Sequence, residues 1–426
     1  MPIKSYKFRL YPTKKQVETL EWTLARCCEL YNACLQERRD TWTIIKRHPN
    51  FYDEEWRKQA MKDHGIGLYD QQNQLPEMKD LRPEYKGIGA HVLQNVTNRV
   101  DKAFQSFFRR VKKGEKAGYP RFHARDRYDS FCFPDTSNWK LEGNRLKLGN
   151  IGAIKIRLCR EMQGKIKTCA VKRECDCWYA TFSCEIEATQ EKHTPYTDES
   201  IGVDLGLHHF AALSTGDIID NPRPYRKAEE KIGAIQKEVA RKKRGSNRRK
   251  KAIKRLSTAH LKVRNQRQDF LHQWSRRLVN TYETIVFEDL APSNMSKAPK
   301  PKQDEDGKYL PNGAAIKAGL NKSILDAGWS TFVSLCEYKA ECAGTVQVIK
   351  VDPYKTSQVC SGCLQEGAHK DLSERVHTCE HCGLVLDRDV NAAINILAVW
   401  RDDLKLRPEP KQKKPRSGRD PQETSS

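Results

Sequence analysis

Four cysteines near the C-terminus constrain this chain more than any other feature of its sequence. They form two C-x2-C pairs with fifteen residues between them: Cys360, Cys363, Cys379 and Cys382. Four thiolates at this spacing are typical of a zinc ribbon, in which each pair makes a tight knuckle and the sulfurs surround one structural Zn²⁺. His377 and His381 lie close by, but four thiolates already complete the ligand set. We therefore predict a zinc-binding insert at residues 356–383.

The charge balance indicates the kind of partner. The chain carries 77 Lys and Arg against 55 Asp and Glu, a net charge of +22 over 426 residues. Such a basic chain favours a polyanionic partner, most often nucleic acid. No apolar run approaches the roughly 18 residues that a membrane-spanning helix needs, so we expect no membrane partner. Because the N-terminal MPIKSYKFRLYP lacks an apolar signal-peptide core, we read the fifteen cysteines as those of a reduced, cytosolic protein.

The first 195 residues predict a small β-barrel with a helical insert, the barrel from 1–12 and 118–195 and the insert from 13–117. Residues 3–11 alternate as a strand, and Thr13 and Gln16 have the spacing of a helix capping box. A polar stretch without clear periodicity separates the first helix from a second one at about 89–111. The apolar face of this second helix is predicted to bury Val92, Val96, Val100, Phe104, Phe107 and Val111.

Two stretches carry the side chains that we expect to contact nucleic acid. In residues 112–133, basic side chains interleave with aromatic rings, which suits base stacking and equally suits a barrel wall with a solvated basic face. The candidates there are Tyr119, Arg121 and Phe122. Residues 241–255 hold ten basic residues and no acid, which favours a phosphate contact over a solvated helix. The candidates there are Arg248, Arg249, Lys250 and Lys251.

From about residue 196 the pattern changes to α/β. Apolar strands are predicted at SIGVDLGLHHFAALSTG, which would run into a hairpin, and at TIVFEDL and VQVIKVD. A long charged helical region is predicted at 226–280 and a helix at about 320–343. The polar stretch 296–313 predicts a flexible loop within a lid at 296–318. Residues 405–426 are polar and proline-rich, which predicts disorder.

Four carboxylates stand at the ends of these elements. Asp204 lies in an apolar strand, Glu288 ends another, and Asp387 and Asp389 precede the helix NAAINILAVW. Each alone has an ordinary explanation, as a strand-edge charge, a strand terminus or a helix N-cap. Together they match the way in which a ribonuclease H-type sheet gathers acids around two divalent cations to hydrolyse a phosphodiester. Oxygen ligands favour Mg²⁺ or Mn²⁺ there.

Taken in order, these segments resemble the TnpB family, transposon-encoded RNA-guided DNA endonucleases related to the type V CRISPR effectors. The similar motifs are YKFRLYPTKKQ, FFRRVKKGEKAGYPRF, GVDLGLHHFAALSTG, VFEDL, LNKSILDAGW, YKTSQVCSGC and DRDVNAAINIL. The resemblance implies a RuvC-like catalytic triad: Asp204, Glu288 and Asp389. It favours Asp389 over Asp387 because the family's acid stands two residues before the Asn of the NAA motif, here Asn391. Leu364 departs from the family, which usually has Gly at that point of the first knuckle.

The fold that the resemblance implies is an α/β RuvC-like nuclease domain, 196–355 and 384–404, which follows the N-terminal barrel in the chain. The zinc ribbon would be inserted in this domain, beside the active site. The implied activity is cleavage of double-stranded DNA next to a short motif. It would use two catalytic Mg²⁺ ions, one structural Zn²⁺ and a guide RNA derived from the transposon end. It would act in the prokaryotic cytosol at the nucleoid, and it would not require a protein oligomer. The alternative is a nuclease-inactive RNA-guided or zinc-ribbon DNA-binding repressor, and the presence of all three acids favours the enzyme. A transposase that joins DNA ends would fit the same acids, but the family's behaviour argues against it.

Overall fold

A computed structural model describes residues 3–186, 195–367 and 374–404 of the chain. The chain divides into two compact units, Met1–Gln190 and Glu191–Ser426. The tail predicted at 405–426 and part of the predicted ribbon, 368–373, lie outside the described residues. Among the helices that the structure describes, none combines the length and the apolar character needed to cross a bilayer.

A seven-stranded antiparallel sheet forms much of the first unit's core. Its strands are β1 Ile3–Tyr11, β2 Ser130–Phe133, β3 Trp139–Glu142, β4 Arg145–Leu148, β5 Gly152–Arg157, β6 Lys165–Glu174 and β7 Cys177–Glu185. They lie in the order β2-β6-β7-β1-β5-β4-β3. The central strand β1 alternates as predicted, because its apolar side chains Tyr6, Phe8 and Leu10 are buried. The predicted barrel is not confirmed, since no ladder joins the edge strands β2 and β3 in the described part of this unit.

The helices of the first unit are α1 Lys14–Arg47, α2 Glu54–Asp63, α3 Leu68–Asn73, α4 Leu75–Leu81 and α5 Ala90–Lys112. Helices α1, α4 and α5 share one apolar core with this sheet, whereas α2 and α3, which the structure describes in full, add no apolar side chain to it. The capping box at α1 is confirmed: the Gln16 backbone N–H donates to Thr13 Oγ1 at 3.3 Å, and the Thr13 N–H donates to Gln16 Oε1 at 3.0 Å. The short helices α2 to α4 occupy the stretch in which the sequence shows no periodicity. The prediction for Val111 is wrong, since this side chain is 50% exposed in the last turn of α5, beyond the core.

A five-stranded mixed sheet forms the centre of the second unit. The remaining strands are β8 Ser200–Leu205, β9 His209–Leu213, β10 Ile218–Asp220, β11 Thr284–Glu288, β12 Lys302–Gln303, β13 Tyr309–Leu310, β14 Gln347–Val351, β15 Val376–Thr378 and β16 Val385–Asp387. The sheet order is β10-β9-β8-β11-β14, while β12 with β13 and β15 with β16 form separate pairs. Strands β8 and β9 form the predicted hairpin and β10 adds a further antiparallel neighbour, whereas β11 runs parallel to both β8 and β14.

The helices of the second unit confirm one expectation and correct two others. They are α6 Pro224–Arg241, α7 Asn247–Thr281, α8 Pro292–Met295, α9 Ala314–Ala327, α10 Trp329–Ala343 and α11 Arg388–Trp400. The helical region predicted at 226–280 is confirmed and contains two helices, α6 and α7. The helix predicted at about 320–343 is also two, because Gly328 takes a left-handed φ of 74° between them. The predicted lid contains the β12–β13 pair, and its last residues, 314–318, belong to α9.

Helix α11 packs directly on β8 because Gly202 has no side chain. A Cβ built on Gly202 would lie 2.1 Å from the carbonyl oxygen of Ala393 and 3.0 Å from Leu397 Cβ. Atoms cannot approach so closely, so a side chain at this point would force the helix away from the strand. The packing brings the start of α11, which carries Asp389, to the strand that carries Asp204.

This contact generates a stability prediction. Gly202→Ala should destabilise the second unit by about 1–3 kcal/mol, since backbone atoms must separate to admit the methyl group. The matched control is Gly233→Ala in α6, where a Cβ meets nothing within 4 Å. That change should stabilise the helix by about 0.5–1 kcal/mol. Thermal unfolding of the RNA-free protein measures both, and a Gly202→Ala variant as stable as the wild type would contradict the close packing.

Candidate functional site

Asp204, Glu288 and Asp389 come from three different elements of the second unit and lie together. Val203 of β8 pairs with Phe287 of β11, so the next residue on each strand, Asp204 and Glu288, are neighbours on adjacent parallel strands. Asp389 stands in the first turn of α11. Its Oδ2 atom lies 3.6 Å from the position that a Cβ on Gly206 would take, just past the end of β8. The structure thus brings the three acids to one edge of the sheet.

Burial and mutual repulsion shape the electrostatics of this edge. Burial, followed by the charges of Glu288 and Asp389, raises the pKa of Asp204 well above its usual value. Burial also raises the pKa of Glu288. A hydrogen bond from Thr356 partly opposes this increase, and the charge of Asp352 adds to it. Carboxylates held together in this way are stabilised when a cation binds between them.

The structure separates Asp387 from Asp389, which the sequence pattern treats alike. Asp387 is the N-cap of α11: its Oδ1 accepts hydrogen bonds from the backbone N–H groups of Asp389 at 2.9 Å and Val390 at 3.2 Å. The Asp389 side chain is not the cap, and its charge raises the pKa of Asp204 more than the charge of Asp387 does. One acid therefore orders the first turn of the helix, and the other faces the cluster.

The four cysteine sulfurs lie within 4.8 Å of one another and are the only group of His, Cys, Asp or Glu ligands in the described ranges that converges in this way. Cys360 Sγ is 3.6 Å from Cys382 Sγ, and Cys363 Sγ is 3.5 Å from Cys379 Sγ. These distances exceed a disulfide bond of about 2.05 Å. They approach the separation of about 3.8 Å between sulfurs in a tetrahedron with Zn–S bonds of about 2.3 Å. The geometry fits a tetrahedral metal ion.

The backbone favours the thiolate form at one of these cysteines. Hydrogen bonds from the backbone N–H groups of Cys382 and then His381 lower the pKa of the Cys379 thiol to about 6. A thiolate is the form that binds metal, so these hydrogen bonds favour the ligand form of Cys379. Neither His377 nor His381 belongs to the converging group.

The two knuckles have the same backbone turn but different residues at its end. The Leu364 N–H donates to the Cys360 carbonyl at 2.9 Å, and the Gly383 N–H donates to the Cys379 carbonyl at 3.0 Å. Both residues are left-handed, with φ of 60° at Leu364 and 74° at Gly383. Glycine takes this conformation without cost, whereas leucine is strained by its Cβ. Leucine at position 364 therefore preserves the turn but introduces backbone strain.

Three polar residues near the acids were missed in the sequence. The Thr356 hydroxyl donates to Glu288 Oε1, while Asn391 and Asn395 of α11 donate to backbone carbonyls of the segment that leads to Cys360. The side chains of both asparagines are fully buried. Two asparagines one turn apart in an otherwise apolar helix were the available signal, because buried amides must find hydrogen-bond partners.

The aromatic candidates Tyr119 and Phe122 lie on the surface of the first unit, outside any strand. The Tyr119 ring packs edge-on against Phe107 at 5.3 Å between centroids, and the Arg39 guanidinium lies 4.9 Å from the Phe122 ring centroid. Tyr119 is 37% and Phe122 is 43% exposed, and Arg121 between them is also exposed. Only 130–133 of the stretch 112–133 is a strand, so the barrel-wall interpretation is wrong for most of it.

The basic candidates divide into two groups. Arg248, Lys250 and Lys251 are exposed on α7. Arg249 instead donates to the carbonyls of Val239 at 2.9 Å and Lys242 at 3.2 Å, so it helps to terminate α6. The charges of Lys242 and Arg255 are partly compensated from outside the segment, because both pair with Glu238.

Three family models match the chain. "Probable transposase" matches residues 181–298, "Cas12f1-like, TNB domain" matches 329–396, and "Helix-turn-helix domain" matches 1–44. The first two models span the acids and the cysteines. In the described part of 1–44, the structure has the strand β1 and most of the single long helix α1.

Curated relatives extend the similarity over most of the chain. It is 31% identical over 306 residues to "Putative RNA-guided DNA endonuclease InsQ" of Escherichia coli (strain K12), which is 72% of this chain and 73% of that protein. It is 29% identical over 404 residues to "Putative RNA-guided DNA endonuclease" of Streptomyces pristinaespiralis, 93% of this chain and 89% of that protein. The solved "Structure of the mini-RNA-guided endonuclease CRISPR-Cas_phi3" aligns with 93% of this chain and 92% of its own at 10% identity, with a TM-score of 0.45. That score is too low to establish a common fold, so the assignment rests on the sequence relatives: the chain belongs to the TnpB family of RNA-guided DNA endonucleases.

Proposed function

We propose that this chain is a transposon-encoded, RNA-guided endonuclease that cuts double-stranded DNA next to a short motif. The observation that carries the proposal is the meeting of Asp204, Glu288 and Asp389 at one edge of the sheet, where their charges repel. The names of the relatives supply the RNA guide and the DNA substrate. The guide would derive from the transposon end, and its base pairing with the target strand would carry the sequence specificity. The protein would act in the prokaryotic cytosol at the nucleoid, and it would not require a protein oligomer.

We assign the three acids as ligands of two Mg²⁺ ions. Carboxylate oxygens are ligands that Mg²⁺ prefers. Bound there, the ions would supply activation of a water molecule and stabilisation of the leaving oxygen of the phosphodiester. The protein's own part is positional: β8 and β11 hold Asp204 and Glu288 side by side, and the Asp387 cap orders the turn that carries Asp389.

We assign Cys360, Cys363, Cys379 and Cys382 as the ligands of one structural Zn²⁺. A site closed by four thiolates leaves no open position for chemistry, so the ion would organise the fold around it. The segment 356–383 that contains it would contact target nucleic acid. On the first unit, Tyr119, Arg121 and Phe122 would contact nucleic acid through charge and stacking.

Asparagine substitutions should separate the two neighbouring acids. Asp389→Asn removes a charged ligand without changing side-chain size, so plasmid cleavage with Mg²⁺ and bound guide RNA should be abolished. Asp387→Asn is the matched control, because asparagine caps a helix as well as aspartate does, and this variant should keep most activity.

Asp204→Ala should also abolish cleavage while target binding survives, since the heteroduplex is held through its backbone by other surfaces. Robust cleavage by Asp204→Ala would overturn the endonuclease assignment. A wild-type protein that binds target but never cuts would be the repressor instead.

The strained knuckle generates a prediction about zinc. Leu364→Gly should relieve strain on the order of 1 kcal/mol and slow the loss of Zn²⁺ to a chelator, because the Leu364 side chain is exposed and contributes little packing. Cys379→Ser should lower the zinc content and loosen the region around α11, since metal binding and local folding are coupled. Zinc release followed with a chromogenic chelator tests both, and faster release from Leu364→Gly would contradict the strain.

The basic segment should contact phosphates through its exposed members. Replacing Arg248, Lys250 and Lys251 by Gln should weaken nucleic-acid binding and reduce the salt slope by roughly one unit for each phosphate that is no longer neutralised. Arg249→Gln is the internal control, because this side chain donates to carbonyls of the preceding helix end and its loss should lower the melting temperature more than the salt slope. Binding isotherms over a range of salt concentrations decide, and an unchanged slope in the triple variant would make the segment a solvated helix.

A further inference from the structure

We propose that Thr356 is a positioning residue that links the zinc knuckle to Glu288, so that the order of the ribbon sets the geometry of the carboxylate site. The proposal rests on the proposed function, since it concerns how the acids of that site are held. It gives the ribbon a second task, separate from contact with nucleic acid.

The first contact is between Thr356 and Glu288. Thr356 is 2% exposed, and its hydroxyl donates to Glu288 Oε1. Glutamate has three rotatable side-chain bonds, and Glu288 stands at the end of β11, where it pairs with Val351 of β14 and the pairing with β8 ends one residue earlier. One hydrogen bond from a buried, immobile donor selects an orientation for the carboxylate and leaves its other oxygen available. Groups that orient a metal-binding carboxylate in this way tune its affinity for the metal.

The second set of contacts holds Thr356 itself in place. Asn395 Nδ2 donates to the Thr356 carbonyl at 2.8 Å and to the Val359 carbonyl at 2.7 Å. Asn391 Nδ2 donates to the same Val359 carbonyl at 2.8 Å, and Asn391 Oδ1 accepts from the Ser361 N–H at 2.9 Å. Four hydrogen bonds made by two buried side chains of α11 therefore clamp the segment 356–361.

This clamped segment connects the two metal sites. It contacts Glu288 through Thr356 and contains Cys360 of the thiolate group. The helix that clamps it, α11, carries Asp389 two residues before Asn391. The backbone also forms a turn at the start of the segment, since the Gln358 and Val359 N–H groups donate to the Lys355 carbonyl at 2.9 and 3.3 Å. Because these hydrogen bonds restrict the segment, a movement of the knuckle would displace Thr356 and, through it, the Glu288 carboxylate.

A purely structural role for Thr356 would be to fill space, and two substitutions separate the roles. Thr356→Val keeps the shape and removes the hydroxyl. Thr356→Ser keeps the hydroxyl and removes a methyl group. If the hydrogen bond matters, the valine variant loses function and the serine variant retains it; if packing matters, the serine variant is the worse of the two.

The experiment measures cation binding directly and apart from cleavage. Guide-RNA-bound wild type, Thr356→Val and Thr356→Ser are titrated with Mn²⁺, with free Mn²⁺ followed by electron paramagnetic resonance. Zinc content, target binding without divalent cations and the Mg²⁺ dependence of cleavage are measured on the same samples. Thr356→Val should weaken Mn²⁺ binding and raise the Mg²⁺ requirement by roughly 10-fold or more, as for other residues that orient metal ligands. Thr356→Ser should stay near wild type, and zinc content and target binding should not change.

Two results would overturn the proposal: a Thr356→Val protein that binds Mn²⁺ as tightly as the wild type, or a Thr356→Ser protein that loses as much affinity as Thr356→Val. Should Thr356→Val fail to fold, Asn395→Leu tests the same link from the other side and should weaken Mn²⁺ binding with zinc retained. Asp204→Ala is the reference for the underlying function. If it cuts, or if the wild type binds no Mn²⁺, the endonuclease assignment fails; if it is inactive while Thr356→Val behaves as wild type, only the link is wrong.

Discussion

The contact between β8 and α11 at Gly202 is the constraint on which the site depends. A helix can lie this close to a strand only where the strand lacks a side chain, and the carbonyl of Ala393 occupies the space that a Cβ would take. The contact fixes how far the first turn of α11 reaches along β8, and with it the separation of Asp389 from Asp204. The result is unfavourable on its own, because the protein's packing gathers acids whose charges oppose one another. Cation binding would offset this repulsion, and a site that repels in the absence of its ligand is poised to bind it.

The hydrogen bonds that clamp the segment 356–361 come from the same helix, α11. Asn391 and Asn395 face the segment before Cys360, on a helix whose other inward residues, Ala392, Ala393 and Ile396, pack in the apolar interior. Buried amides are costly when unpaired, so their hydrogen bonds fix the position of the segment more strictly than apolar packing would. A metal ion on the thiolates and the helix would thereby act on one short piece of chain from two directions. This arrangement tolerates a strained Leu364 because the thiolates and the clamp both hold the knuckle in shape.

Local patterns predicted much of the site. The cysteine spacing indicated the knuckles, the alternation in 3–11 indicated β1, and the apolar runs around Asp204 and Glu288 indicated the two strands that carry them. These features depend on residues close together in the chain. The predicted closure of the barrel is not confirmed. Closure would require the edge strands β2 and β3 to pair, and the sequence of neither strand shows which other strand it pairs with. The break at Gly328 was missed because the apolar pattern continues across it, and only the left-handed backbone ends the helix.

The residues whose structural roles sequence reasoning missed share a physical reason. Thr356 and Arg249 act through hydrogen bonds to partners that only the tertiary fold supplies, Glu288 in one case and the end of α6 in the other. Residue type does not reveal these roles. A threonine near a cysteine knuckle and an arginine in a basic segment are both common there, so neither stands out in the sequence. The acids were different, because a charge in an apolar strand conflicts with its local environment, and such a conflict is visible before the fold is known. Sequence therefore reveals the groups that would carry the chemistry, whereas the groups that hold them in place emerge only from the contacts.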